Sequence, residues 1–271
     1  MRARLLAALI ICLPTLAVVP QTASQSITID YPLQGSVFPP DMAPPTFLWR
    51  DSKPTSAGPW LIDIDFPDHS PGLRQETSGP PLQIGEIDPR CISDTNELPK
   101  LTPEQNGTRT WTPDTQTWER IKKQALGKVA TVTIRRLYDP VPSDFGQVTI
   151  RVSRDPVGAP IFYRDVPLMP TETEKGVIKP IVPSALPLIA WRLRHVSETR
   201  SPVLMERLAT CANCHSFSKD GRTLGMDLDG PRNDKSMYAI ASVSPRMAIR
   251  TEDVIAWSSF PGLLPGHPTI A

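Results

Sequence analysis

The chain has 271 residues, 39% of them hydrophobic and 21% charged, with a formal charge of +1 and 32 prolines. That length admits two small domains, each able to bury its own core. The proline content excludes a helical bundle, and the near-neutral charge gives no reason to expect nucleic acid or an anionic membrane as partner.

The first 23 residues read as an address. Arg2 and Arg4 form a positive start, residues 5–19 an apolar run broken by Pro14, and Gln21, Thr22, Ala23 and Ser24 a stretch where a signal peptidase can cut. The run is short for a membrane span, so the mature chain is expected to have no transmembrane segment and to reside in the periplasm or cell envelope of a bacterium. Cys12 follows Ile10 and Ile11, which lack the small side chain that a lipoprotein signal places before its cysteine. After cleavage Cys91, Cys211 and Cys214 remain, an odd set for an oxidising compartment.

Residues 26–166 are expected to form a β-sandwich. The stretches 26–30, 46–49, 60–66, 129–134 and 147–152 mix β-branched and aromatic residues in alternation, each bounded by Pro, Gly, Asp or Ser. Short strands without a βαβ rhythm suit an antiparallel sandwich of the immunoglobulin or fibronectin kind. One helix interrupts them: Asp114 caps it, Trp118, Ile121, Ala125 and Leu126 share a face, and Gly127 stops it. Residues 51–59 and 66–81 read as loops. The proline-punctuated stretch 167–200 reads as an extended linker.

Residues 201–271 carry the chemistry. Cys211-Ala212-Asn213-Cys214-His215 has the C-x-x-C-H spacing of c-type haem attachment. Two thiols three positions apart add to the two vinyl groups of one porphyrin, and the adjacent imidazole becomes the proximal ligand of the iron. Three rival readings stand beside it. A structural zinc site wants a second close pair of ligands, whereas His195, His267 and Cys91 are scattered. A thioredoxin-like dithiol wants a helix inside a βαβ unit, and a plain disulfide or two buried thiols needs neither. Beyond the motif, a tight turn at Asp220-Gly221 leads into a strand through Leu228, with Leu224, Met226 and Leu228 on one face. Further strands are expected at 236–243 and 253–258.

The run from Cys211 to Gly230, with Asn233, Asp234 and Lys235 after it, resembles a family of exported bacterial proteins with a cytochrome c motif at the entry to a β-propeller. Its Phe217-Ser218-Lys219-Asp220-Gly221 element is similar to propeller repeats of the periplasmic Tol system. Residues 31–39, 161–167 and 189–192 also resemble that family's N-terminal half. The resemblance implies haem c as cofactor and a redox partner in the cell envelope. Only 56 residues follow His215, against about 40–45 for one blade and at least four blades for a closed ring, so a truncated member with an incomplete propeller is expected.

For the sixth iron ligand Met226 is the nearest candidate, although between Leu224 and Leu228 it is more often a core residue than a ligand. Met205, Met237, Met247 and His195 are others, and an open position would suit sensing or catalysis. Asp227, Asp229, Asn233 and Asp234 around Gly230 offer oxygen ligands for Ca²⁺, but their spacing departs from an EF-hand and a solvated turn fits better. Asn106-Gly107-Thr108 matches a glycosylation acceptor, without weight in a bacterial chain. Cys91 reads as a buried free thiol or an intermolecular partner. No triad, phosphate loop or paired-carboxylate signature supports a hydrolase or transferase. Two classes remain: an electron-transfer protein, and an envelope binding or scaffold protein whose haem is structural or sensory.

Overall fold

A computed structural model describes residues 26–53, 58–68, 70–138, 144–168, 175, 181, 183–208, 212–229 and 237–256. The expected signal segment and residues 257–271 lie outside them, as does Cys211. The fold is mainly β, built from several open sheets. In chain order the strands are β1 (Ile27–Tyr31), β2 (Ser36–Phe38), β3 (Phe47–Asp51), β4 (Trp60–Asp65), β5 (Leu73–Thr77), β6 (Arg109–Trp111), β7 (Val129–Arg136) and β8 (Phe145–Val152). There follow β9 (Ile161–Asp165), β10 (Ala190–Arg194), β11 (Val203–Glu206), β12 (Ala212–Phe217), β13 (Thr223–Leu228), β14 (Met237–Ser242) and β15 (Val254–Ala256).

The first eight strands serve one core. A five-stranded sheet runs β2-β8-β7-β4-β5 and a three-stranded sheet β1-β3-β6. Alternation is the reason: Ala130, Val132 and Ile134 on β7, and Val148, Ile150 and Val152 on β8, are buried while their neighbours are not. Ile27, Phe47 and Trp49 of the smaller sheet join Trp60, Ile62 and Ile64 in the same cluster. Trp49 and Trp60 meet edge to face at 5.4 Å.

Helix α2 (Thr115–Gln124) begins as expected, with Asp114 accepting the Thr117 amide at 2.7 Å. Trp118, Ile121 and Ala125 are buried, and Trp118 donates its indole N–H to the Met42 carbonyl at 2.8 Å. Leu126 departs from the expected apolar face and is 42% exposed. The helix has already ended there, and Gly127 takes a left-handed φ of +67°. Helix α1 (Pro103–Asn106) is a single turn closed by a capping box between Thr102 and Gln105.

Two stretches expected to be irregular contain strands. The stretch 66–81, read as a loop, contains β5, which pairs with β4 along its length. The stretch 167–200 is not wholly a linker either: β10 lies within it, flanked by β9 and β11 in one antiparallel sheet. β9 therefore belongs with the C-terminal part rather than with the first core. Proline punctuation hid β10, because the 3-10 turn Pro183–Leu188 precedes it directly.

The second core lies between that sheet and the antiparallel meander β12-β13-β14-β15. Ile189, Trp191, Leu204 and Met205 from one side meet Leu224, Met226, Leu228, Met237, Ala239 and Ala241 from the other. The expected turn is present: Gly221 has φ +69°, and Ser218 and Thr223 are joined by a 2.9 Å backbone bond. Asp220 accepts from the Ser218 hydroxyl and the Arg222 amide, which hold its carboxyl below the usual range. Among the described residues no helix is long and apolar enough to cross a membrane.

Candidate functional site

The described part of the motif lies on β12, the edge strand of the meander. Its register is Ala212 to Leu228, His215 to Met226, Ser216 to Gly225 and Phe217 to Leu224, with an irregularity between Ala212 and His215. A bulge there places one extra residue on β12 and turns local side chains away from strict alternation. Asn213, Cys214, His215 and Ser216 are consequently all exposed, while Ala212 is fully buried.

Cys214 is a free thiol in open surface. Beside it, the His215 Nδ1 lies 3.1 Å from the Asn213 carbonyl oxygen. Since a carbonyl only accepts, Nδ1 is the donor, and in the neutral ring Nε2 then carries the free lone pair. Among the described residues Nε2 makes no hydrogen bond. A ring wall stands against this imidazole: Phe162 of β9 at 4.5 Å and 68°, with Phe217 at 6.2 Å and 77°. Phe162 and Phe217 contact each other at 5.4 Å. Arg164 of β9 donates to the Ala212 carbonyl at 3.1 Å, tying the two edge strands together.

These residues fit the haem expected from the sequence. The thiol and imidazole are adjacent and accessible, the imidazole tautomer leaves Nε2 available, and the surrounding rings are apolar. Cys211, the other attachment residue, lies outside the described residues. A thioredoxin-like dithiol loses its physical basis, since β12 is a strand and supplies no helix N-terminus to stabilise a thiolate. Neither Phe162 nor Phe217 is expected from the sequence as a residue of the site. Residues 161–167 enter the sequence reading only through the family resemblance, and nothing local says that they meet the motif.

The remaining candidates separate clearly. Met226 has no exposed surface and sits inside the second core. Met205, Met237 and Met247 are buried in that same core. His195 is exposed in the turn after β10, where its amide donates to Glu198 at 2.8 Å. Asp227 and Asp229 stand at the end of β13, half-buried; their suggested calcium co-ligands Asn233 and Asp234 lie outside the described residues. Among the described residues no group of three or more His, Cys, Asp or Glu could hold a metal ion. Cys91 is half-buried in the 3-10 turn Pro89–Cys91; burial pushes its thiol upward, and Asp88 adds to this. Compared with known proteins, the chain matches no family model and no curated protein.

Proposed function

We propose that this chain is an exported c-type cytochrome that carries one covalent haem on Cys211 and Cys214, with His215 as proximal ligand, and that transfers electrons in the periplasm or cell envelope. The carrying observation is the presentation of Cys214 and His215 together on an edge strand, with Nδ1 held by Asn213 and Nε2 available. Haem would supply the Fe(III)/Fe(II) couple. The chain's own residues hold the thiol and imidazole at the surface, fix the tautomer, and keep water from one face of the ring through Phe162.

In this reading β1–β8 form a sandwich of the immunoglobulin or fibronectin kind, and β12–β15, four antiparallel strands in sequential order, form the first blade of a propeller of the Tol-like type. The blade's order and its entry through the C-x-x-C-H segment support the resemblance to exported cytochrome-propeller proteins. A redox protein of the envelope is the partner. A second reading, a binding or scaffold protein whose haem is sensory, draws on the burial of Met226, which removes the nearest methionine from the sixth position.

Haem staining of a denaturing gel, with a pyridine haemochrome spectrum, tests the proposal on protein exported by a strain with cytochrome c maturation machinery. Wild type is expected to stain and the Cys211→Ala, Cys214→Ala double variant to stay colourless. Folded, exported wild type without haem overturns the reading. Ready CO binding by the reduced protein favours the sensory role over electron transfer.

A further inference from the structure

Three contacts restrain His215, two from its own strand, Asn213 and Phe217, and one from another sheet, Phe162. The Asn213 carbonyl, at 3.1 Å from Nδ1, lies on the same strand two residues back. It therefore travels with the histidine and cannot fix the strand's side chain relative to the rest of the fold. Phe162 belongs to β9, where it pairs with Leu193 of β10 in the ladder Ile161–Asp165. That ladder is anchored by the Arg192 to Asp165 ion pair and by Trp191, which is buried in the second core.

The Phe162 ring stands at 68° to the imidazole, 4.5 Å between centroids, and is itself braced by Phe217. An imidazole held by one hydrogen bond can still swing about its side-chain torsions. A phenyl ring from a separate sheet, crossed against the imidazole, blocks that swing on one side. Arg164, two residues along β9, bonds the Ala212 carbonyl and keeps the wall in register with the motif. Phe162 is only partly buried, at the margin of the second core.

We propose that Phe162 is a positioning residue of the haem-ligand site, holding the His215 ring with Nδ1 on Asn213 and Nε2 available. The inference rests on the haem reading for its consequence, while its geometric content can be measured without haem. Core packing alone would make Phe162 variants less stable and leave the His215 tautomer unchanged.

The test uses the full chain as wild type, Phe162→Leu, Phe162→Ala and Phe162→Tyr. Protein made without the maturation machinery is labelled with ¹⁵N-histidine, and the His215 signals are assigned by comparison with His215→Gln. Wild type and Phe162→Tyr are expected to show the single Nδ1–H tautomer. Phe162→Leu is expected to show both tautomers. In haem-loaded protein the reduction potential should move in Phe162→Leu and return in Phe162→Tyr, with covalent haem retained in all.

A single Nδ1–H tautomer retained in Phe162→Leu would overturn the proposal. Should Phe162→Ala fail to fold, the leucine and tyrosine variants decide alone. A colourless wild type would remove the haem reading, and the histidine spectra would still decide whether Phe162 sets the ring.

Discussion

His215 and Met226 are directly paired across β12 and β13, yet one is exposed and the other has no surface in water. Paired residues of antiparallel strands have β-carbons about 5 Å apart. Met226 continues the buried row Leu224, Met226 and Leu228, while His215 leans at the rim against Phe162. The core ends and the candidate site begins within this one pair.

Met226→Ala should therefore act as a cavity substitution, costing about 2–5 kcal/mol in urea unfolding. Met226→Leu conserves volume and should cost less than about 1.5 kcal/mol. Folded Met226→Leu protein is expected to keep both its haem stain and its visible spectrum; a changed spectrum would return Met226 to the list of iron ligands.

Gly79 has φ +57°, and a β-carbon there would lie 2.6 Å from Trp60 Cδ1 and 3.0 Å from Trp49 Cζ2. Gly79→Ala combines a strained backbone with a clash against two packed indoles. It should destabilise by more than the roughly 1 kcal/mol at stake where the backbone alone is at issue. A lowered Tm with altered near-ultraviolet circular dichroism of the tryptophans is the expected result.

Asp144 is buried and accepts from the Ser26 amide at 3.3 Å and the Lys53 ammonium at 2.9 Å. Hydrogen bonding from Ser26 holds its carboxyl below the usual value, with Lys53 adding to the effect. A depressed folded value means stabilisation that is complete above the unfolded carboxyl range, near pH 4, and is lost as pH falls through the folded value. Asp144→Asn should cost about 1–3 kcal/mol at pH 7. Denaturant unfolding from pH 7 to pH 2 should show wild type and variant converging only below about pH 4.

Cys91 and Cys214 should differ in alkylation. In haem-free Cys211→Ser protein, iodoacetamide at pH 7 is expected to modify exposed Cys214 first, while Cys91 reacts slowly because burial disfavours its thiolate. Raising the pH should speed Cys91 modification. Mass-mapped peptides read both rates.

Much of the fold was legible because alternation is a local signal. The strands around Trp60, Val129 and Gln147, and the helix capped by Asp114, stand close to where their patterns place them. So does the hairpin at Asp220 and Gly221. Short edge elements were not legible: β2 and β6 are three residues each, too brief to establish a period. β10 was obscured by flanking prolines, although Trp191 is almost fully buried. For the candidate site, spacing identifies Cys211, Cys214 and His215 but carries no information on strand pairing. Hence neither the partnership of His215 with Met226 nor the approach of Phe162 could be read, since both depend on contacts distant in sequence.

The edge position of β12 has a consequence for how the motif can be reached. A strand inside a sheet is held by two ladders; among the described residues β12 is held by the ladder to β13 alone, and the irregularity between Ala212 and His215 interrupts even that. Opening this segment breaks few backbone bonds and leaves β13, β14 and β15 paired. Amide protons of Asn213, Cys214 and His215 should exchange ahead of those of Met226 and Ala239. If the proposed haem is attached here, a local peeling of the rim would offer the motif to an attaching enzyme without dismantling the core behind it.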